Sequence, residues 1–184
     1  MAGGDLERLH RLLLERSVRR GDFVLASGQR SSYYIDCRLT TMSAEGQGLV
    51  GRLGWEAIRE RGWRPKAVGG LTMGADPVSY AIAAASWGTE LVMDAFSVRK
   101  EVKGHGTGRV IEGSFSPGDE VVVVEDVITT GGSAQRAIAA VSKAGGRVIG
   151  VLAVVDREEG GRGVLEVEGR GVAVLVGVGE LGVA

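Results

Sequence analysis

Apolar residues recur with a helical period at the N-terminus and with an extended period soon after it. Between residues 5 and 19, leucines lie at helical spacing among Arg and Glu residues, which predicts an amphipathic helix. Two short extended segments, FVLASG and SSYYID, are predicted around turn residues 27–30. Ser43 is the predicted N-cap of a helix that ends near Arg61.

From Pro65 onward, predicted strands alternate with predicted helices. In chain order these are the strand KAVGG, a glycine loop, the helix PVSYAIAAASW, the strand ELVMDAF, a long polar loop, the strand VVVVEDV, the helix AQRAIAAVSKAGG and the strand RVIGVLAVVD. Apolar strands that alternate with Ala-rich helices are typical of βαβ units around a parallel sheet buried on both faces. The pattern therefore predicts an α/β core over about residues 65–156. Beyond Arg157, the segments VLEV and VAVLV predict edge strands.

Composition removes several classes of protein. The chain has 184 residues with 31 Gly but only 3 Pro and no three-residue repeat, which excludes a collagen-like chain. Because 44% of the residues are apolar and lie in periodic runs, a disordered chain is excluded as well. A single cysteine, Cys37, excludes an internal disulfide and a cysteine-based zinc site. We expect one globular domain, because a chain of 184 residues has the usual length of a domain with one hydrophobic core.

Charge and hydropathy bear on partners and location. The formal net charge is −1, so no overall field attracts a polyanion, and we expect no nucleic-acid partner. The N-terminal stretch lacks a basic segment followed by an apolar one, and the uncharged run 171–179 is too short to span a bilayer. We therefore expect a soluble, cytoplasmic protein with no membrane partner.

The segment EVVVVEDVITTGGS, residues 120–133, combines the parts of a sugar-phosphate site. A buried strand delivers two carboxylates, Glu125 and Asp126, and a loop of hydroxyl and glycine residues then opens a helix near Ala134. Backbone amides, hydroxyls and the positive end of the helix dipole together form a phosphate cradle. Carboxylates beside a phosphate repel it unless they bind hydroxyls, so a pentose phosphate fits best. The alternative is a plain strand-end turn with a helix cap.

A second segment, RKEVKGHGTGRVIEG, residues 99–113, places four cationic side chains within seven residues. They are Arg99, Lys100, Lys103 and His105. Flexible glycines between them would let the loop close over a diphosphate and exclude water. The alternative is a solvated charged loop between strands.

These segments resemble a known family. VVVVEDVITTGGS resembles the 5-phosphoribosyl 1-diphosphate (PRPP) motif of type I phosphoribosyltransferases, and RKEVKGHGTGRVIEG is similar to the catalytic loop of the orotate phosphoribosyltransferase family. SGQRSSYYID and DREEGG match that family too, so the resemblance covers roughly residues 20–163. It implies a type I phosphoribosyltransferase fold, with a mainly parallel central sheet flanked by helices and a small N-terminal hood.

The resemblance also implies how the chain is organised. We expect one domain over residues 1–184, with the N-terminal helix and hood segments in 1–64, the α/β core in 65–163 and C-terminal strands in 164–184.

The resemblance implies a role for each matching residue. The PRPP-binding residues would be Arg99, Lys100, Lys103, His105, Glu125, Asp126, Val127, Ile128, Thr129, Thr130, Gly131, Gly132 and Ser133. Lys103, Asp126 and His105 would be catalytic, and orotate would contact Thr129 and Arg157. For Arg157 the alternative is a structural ion pair with Glu158 or Glu159.

The implied assembly is a homodimer whose loop acts at the neighbouring subunit's site. The implied cofactor is Mg²⁺ held mainly through PRPP, with no dedicated protein metal site. The implied reaction joins orotate and PRPP to give orotidine 5′-monophosphate and diphosphate, in the synthesis of UMP. Two alternatives remain, a type I transferase for a purine base and a PRPP-sensing regulator that binds nucleic acid.

Two departures from the family pattern concern cations. Ala26 stands where many members have Lys, and residues 69–77 contain no Lys although many members have one there.

Thirteen of the 31 glycines form two sets. Those of the predicted ligand loops are Gly69, Gly70, Gly74, Gly104, Gly106, Gly108, Gly131 and Gly132, whereas Gly169, Gly171, Gly177, Gly179 and Gly182 have no explanation from the sequence.

Overall fold

The computed structural model describes residues 2–24, 30–100, 110–166 and 170–183. The strands are β1 (Val18–Val24), β2 (Arg30–Ile35), β3 (Ala67–Leu71), β4 (Asp94–Val98), β5 (Ile111–Gly113), β6 (Glu120–Ile128), β7 (Arg147–Asp156) and β8 (Gly171–Gly177). The helices are α1 (Ala2–Arg16), α2 (Arg38–Thr41), α3 (Ala44–Glu60), α4 (Ala75–Ser86), α5 (Gly132–Lys143) and α6 (Gly161–Leu165), and a 3-10 helix covers Val178–Leu181.

The central sheet has the strand order β5-β4-β3-β6-β7-β8. Its strands are parallel except β5, which pairs antiparallel with β4 at one edge. Side chains of β6 alternate between the two faces, with Val122 and Val124 in one core and Val121 and Val123 in the other. The predicted α/β fold with a mainly parallel sheet buried on both faces is therefore confirmed.

Helices cover each face of this sheet with apolar residues at helical spacing. On one face, Ile58 of α3 and Ile82 of α4 join Leu9 of α1 in the core. On the other face, Ala137 and Val141 of α5 are buried. Apolar burial on both sides is the main favourable contribution to the fold, because it removes continuous apolar strands from water. No helix within the described ranges is long and apolar enough to cross a membrane.

The helix boundaries follow from local capping. The predicted N-cap Ser43 is confirmed, since its Oγ accepts a hydrogen bond from the N–H of Gly46 at 3.1 Å. The first helix was predicted to continue to residue 19, but it ends at Arg16. Val18 instead begins β1, which pairs with β2 as a separate two-stranded antiparallel sheet. We call this pair the hood.

Three short elements differ from the sequence pattern. The strand predicted from ELVMDAF begins only at Asp94, and the edge strand β5 was not predicted. Strand β5 has three residues, which are too few to show the alternating pattern of a strand. Val164 and Leu165, predicted in a strand, lie in α6, where Leu165 is fully buried. A pair of adjacent apolar residues fits one turn of helix as well as it fits a strand, so only packing distinguishes them.

Several glycines are required by close backbone packing and not by a ligand. Gly69 and Gly70 lie inside β3, where a Cβ would overlap the carbonyl oxygens of Phe96 and Val124 on the two neighbouring strands. Their place in the predicted strand KAVGG is therefore confirmed, whereas their predicted place in a diphosphate loop is wrong. Gly171, which the sequence left unexplained, lies under the ring of Trp63, and a Cβ there would lie 3.0 Å from that ring.

Gly70→Ala should destabilise the protein because the new methyl group would overlap the backbone of β6, which has no room to move between two strands. We expect a loss of roughly 1–3 kcal/mol in the free energy of unfolding, measured by urea denaturation. Gly48→Ala on α3 is the control, because the nearest atom to its new Cβ is the Arg52 side chain at 3.4 Å. It should be neutral or slightly stabilising. Equal stability of Gly70→Ala and the wild type would contradict this account of β3.

Candidate active site

A pocket of about 610 Å³ opens beyond the carboxyl ends of β3, β6 and β7. Ligands of open α/β sheets bind at this end of the strands, because the loops that follow parallel strands converge there. The end of the hood closes another side of the pocket. Its lining residues are Tyr34, Ile35, Asp36, Arg38, Leu71, Thr72, Met73, Gly74, Lys100, Glu125, Asp126, Val127, Thr129, Thr130, Ser133 and Arg157.

The two predicted carboxylates both reach this pocket. The Asp126 Oδ1 accepts a hydrogen bond from the N–H of Val127 at 2.9 Å. The loop after β3 presses its backbone against the same carboxylate, and a Cβ on Gly74 would lie 2.5 Å from Oδ1. A side chain at position 74 would therefore displace the Asp126 carboxyl group, whereas the predicted role of Gly74 in a ligand loop stays a prediction.

Glu125 is the more unusual member of the pair, because only 6% of it is exposed. Burial, followed by the neighbouring Asp126 carboxylate, raises the pKa of Glu125 from its ordinary value of 4.5 to about 9, and Arg136 opposes this weakly. Its buried Oε2 has no hydrogen-bond partner in the described part of the chain. At neutral pH Glu125 is therefore a neutral carboxylic acid that lines the pocket with unused hydrogen-bonding capacity.

The segment predicted to be a phosphate cradle lies where β6 turns into α5. Gly131 adopts the left-handed region at φ 80°, which lets the chain turn sharply into a helix that begins at Gly132. Thr129, Thr130 and Ser133 line the pocket beside this helix N-terminus. Helix N-terminal amides and the helix dipole both favour an anion, so the turn has the chemistry of a phosphate site.

Ile128 occupies a different environment from its neighbours in the motif. Its side chain is 1% exposed and belongs to the core, and its carbonyl oxygen accepts the N–H of Arg157 at 2.9 Å. The structure thus places Ile128 behind the pocket, whereas Val127 lines it.

Arg157 lies in the pocket and is 7% exposed. Its Nε donates to the Glu159 Oε1 at 2.8 Å, and its guanidinium carbon lies 4.7 Å from the centroid of the Tyr33 ring. The predicted alternative, an ion pair with Glu159, is therefore present in the structure. The ion pair with Glu159 uses the Nε of Arg157. The two terminal nitrogens of the guanidinium are therefore the ones that could bind a ligand carboxylate.

The predicted loop cations are only partly within the described residues. Lys100 lines the pocket. The Arg99 Nη2 instead lies 3.0 Å from the Glu112 Oε1 of β5, and Arg99 is not among the residues that line the pocket. Lys103 and His105, like Ala26 and the glycines at 104, 106, 108 and 169, lie outside the described residues.

One cation in the pocket was missed by the sequence pattern. Arg38 forms two hydrogen bonds with Asp36, at 2.8 Å and 2.9 Å, and both residues line the pocket. The paired guanidinium lowers the pKa of Asp36. The available signal was the position of Arg38, two residues after the SSYYID segment. Nothing in the local periodicity marks it, because the hood reaches the sheet only through tertiary packing.

The family comparison agrees with this site. The family model described as phosphoribosyl transferase domain matches residues 44–171, so the chain belongs to the phosphoribosyltransferases. The orotate phosphoribosyltransferase of Aquifex aeolicus is 48% identical over 178 residues, which cover 95% of this chain and 96% of that protein. That of Mycobacterium tuberculosis is 44% identical over 182 residues, with 99% of both chains covered. Within the family, the chain therefore belongs to the orotate phosphoribosyltransferases.

Solved structures agree in fold. The crystal structure of the M. tuberculosis H37Rv orotate phosphoribosyltransferase in complex with PRPP has a TM-score of 0.82 and 40% identity, covering 97% of this chain and 99% of that one. The adenine phosphoribosyltransferase of Saccharomyces cerevisiae, at 18% identity and a TM-score of 0.68, shares the fold alone. The predicted family and fold class are confirmed.

Glu125→Gln should change how stability depends on pH. The raised pKa of Glu125 means that its proton stabilises the folded state fully below pH 4.5, and that this stabilisation is lost as the pH rises toward about 9. Gln has no such proton to lose. The unfolding free energy of the wild type should therefore fall relative to that of Glu125→Gln over this interval, by up to ~1.4 kcal/mol per pH unit.

The measurement is urea denaturation at several pH values between 5 and 9, with the exposed Glu166→Gln as the control. Glu166→Gln should follow the wild type. A constant difference between the wild type and Glu125→Gln would show that Glu125 is ionised throughout the range.

Proposed function

We propose that this chain catalyses the transfer of the 5-phosphoribosyl group from PRPP to orotate, giving orotidine 5′-monophosphate and diphosphate in UMP synthesis. The single observation that supports this most is the convergence in one pocket of the acidic pair, the cradle at the start of α5 and the buried Arg157. Each element suits one part of the two substrates, and the relatives over nearly the full chain are named for this activity.

PRPP is placed by its charge and its hydroxyl groups. The 5-phosphate binds the amides and hydroxyls at the start of α5, and the ribose hydroxyls bind Glu125 and Asp126. Glu125 is suited to a hydroxyl because it is neutral and its Oε2 has no other partner. The carboxyl oxygens of Asp126 can accept hydrogen bonds from the ribose hydroxyls. The diphosphate would then extend toward Lys100, and Lys103 and His105 would reach it from the neighbouring subunit.

The reaction breaks the bond between the ribose anomeric carbon and a diphosphate oxygen, and it forms a bond from that carbon to an orotate ring nitrogen, whose proton leaves to the departing diphosphate or to water. Positive character develops on the sugar and negative charge on the diphosphate, so no covalent nucleophile from the protein is needed. Lys100, Lys103, His105 and Arg99 would stabilise the departing diphosphate. Arg157 would pair with the orotate carboxylate through its terminal nitrogens, with Thr129 beside it.

Mg²⁺ is the proposed cofactor, held mainly by PRPP. No group of three or more His, Cys, Asp or Glu side chains that could hold a metal occurs within the described ranges. The pocket does offer a carboxyl group on Asp126, whose hard oxygens suit a magnesium ion that takes its other ligands from phosphate and water. When bound, the ion would neutralise charge on the diphosphate.

The proposed assembly is a homodimer in which Lys103 and His105 act at the neighbouring subunit's site. The proposed location is the cytoplasm, with no nucleic acid or membrane as a partner. The net charge of −1 supports the absence of a nucleic-acid partner, because it gives no overall attraction for a polyanion.

The direct test of the reaction is to mix purified protein with orotate, PRPP and Mg²⁺ and to follow the loss of orotate absorbance. We expect orotate to be consumed only when PRPP is present. Consumption of a purine base with no loss of orotate would assign the chain to another base. Salt-dependent binding of nucleic acid without transferase activity would support a regulator instead.

Lys103→Ala should lower kcat by at least about 100-fold while changing PRPP affinity far less, because charge on the diphosphate develops in the transition state. Steady-state kinetics and a PRPP binding titration measure the two effects. Lys143→Ala is the control, since this exposed lysine ends α5 away from the pocket. Equal losses in turnover and binding would contradict a role specific to the transition state.

Mixing Lys103→Ala subunits with Asp126→Ala subunits tests whether the loop acts in trans. A mixed dimer would then contain one site with both residues intact, and random mixing at equal amounts would restore about a quarter of wild-type activity. If the loop acts on its own subunit, every site in the mixture keeps one defect and activity should not recover.

A further inference from the structure

The segment Gly177–Gly182, which we call the C-terminal turn, contacts parts of the chain that lie far away in sequence. It follows β8 and contains the 3-10 helix. The N–H of Gly179 donates to the Glu158 Oε2 at 3.2 Å. The carbonyl oxygen of Gly182 accepts a hydrogen bond from the Arg20 Nη2 at 3.0 Å. The turn therefore connects the loop after β7 with the hood.

Glu158 is held in an unusual conformation by these contacts. Its φ of 58° lies in the left-handed region, where a side chain other than Gly, Asn or Asp is uncommon. Its N–H donates to the Asp156 Oδ1 at 2.8 Å, so the chain bends back immediately after β7. The bend points the carboxylate toward the C-terminal turn, and it leaves Arg157 as the residue between β7 and the bend.

Two glycines of the turn make room for this carboxylate. A Cβ on Gly177 would lie 2.6 Å from the Glu158 Oε1, and one on Gly179 would lie 3.1 Å from Oε2. The Gly177 N–H donates to the Glu180 Oε1 at 2.7 Å, which fixes the turn itself. These contacts account for two glycines for which neither the strand pattern nor the substrate site gave a reason.

The second contact of the turn is with the hood strand that pairs with the strand of Tyr33. Arg20 lies on β1 directly opposite Tyr33 of β2. The ring of Tyr33 covers the Arg157 guanidinium at 4.7 Å. The turn thus contacts the residue that follows Arg157 and the strand that pairs with the covering ring. The ion pair between Arg157 and Glu159 does not involve this segment.

We propose that Glu158, through its hydrogen bond to the C-terminal turn, positions Arg157 for the carboxylate of orotate, an inference that rests on the role proposed above for Arg157. Glu158 does not touch the substrate, so it is a positioning residue. Pairing of a guanidinium with a carboxylate through two nitrogens depends on a defined plane and direction. If the bend at Glu158 moves, the direction of the Arg157 guanidinium changes, whereas the cradle for PRPP stays in place.

The effect should fall on orotate binding and spare turnover. The orotate carboxylate keeps its charge throughout the reaction, so Arg157 binds the ground state and the transition state about equally. Loss of such uniform binding raises KM and leaves kcat nearly unchanged. A general loosening of the fold would instead change the kinetics of both substrates.

The test compares Glu158→Ala with Glu158→Gln by steady-state kinetics. Both variants keep a Cβ at the left-handed position, so backbone strain is matched, but only Gln keeps an oxygen that can accept the Gly179 N–H. Glu158→Ala should raise the KM for orotate about fivefold to tenfold, with kcat and the KM for PRPP within about twofold. Glu158→Gln should restore most of the orotate affinity.

Gly179→Ala approaches the same hydrogen bond from the other side. Its methyl group would lie 3.1 Å from the Glu158 Oε2 and push the carboxylate away slightly, so the KM for orotate should rise, but by less than in Glu158→Ala. Glu166→Ala is the control, because this exposed carboxylate pairs with Arg162 on α6 and should leave the KM unchanged. Thermal unfolding of each variant shows whether the fold is retained.

Arg157→Ala separates failure of this proposal from failure of the proposed function. If Arg157→Ala leaves the KM for orotate unchanged, the role of Arg157 itself is wrong. If it raises that KM and Glu158→Ala does not, the positioning role of Glu158 is overturned. An equal loss for both substrates with no rescue by Gln would overturn it too. The double variant Arg157→Ala/Glu158→Ala should match Arg157→Ala alone.

Discussion

The close approach of β3 to its two neighbours is the constraint on which the rest of the structure depends. Phe96 of β4 and Val124 of β6 place backbone oxygens where side chains of β3 would otherwise lie, so glycine is required at 69 and 70. The following loop lies against the Asp126 side chain, which a Cβ at position 74 would displace. A sheet packed this closely leaves the pocket at its carboxyl end with little freedom, and a site for a transferred sugar needs that rigidity.

One carboxylic acid in the pocket, Glu125, is neutral at neutral pH. Two ionised carboxylates side by side would repel each other and a phosphate, but burial keeps Glu125 protonated at neutral pH. Arg38 is neutralised in part by Asp36, and Arg157 by Glu159. The cations that line the pocket are thus mostly paired before a ligand arrives. Their guanidinium planes are held in defined directions, which favours recognition of planar anions over a diffuse attraction.

The segments around Arg157 show how residues outside the pocket shape it. The buried guanidinium is covered by a ring from the hood, paired with a carboxylate from its own loop, and followed by a bend that contacts the C-terminal turn. Three regions that are distant in sequence therefore meet around Arg157 and the residue that follows it. Relatives named orotate phosphoribosyltransferase match over nearly the full chain, in agreement with a site that draws on both ends of the sequence.

The sequence by itself determined the alternation of strands and helices, the family, and the motif residues that line the pocket, since periodicity and local spacing are written in neighbouring residues. It could not show that Gly69 and Gly70, within the predicted strand KAVGG, are required by the neighbouring strands and not by a ligand, nor could it identify Arg38 or explain Gly171, Gly177 and Gly179. Those depend on atoms brought from elsewhere, namely the carbonyls of adjacent strands, Trp63 and Glu158. Only the tertiary structure decided them, because contacts between residues far apart in the chain leave no period in the sequence.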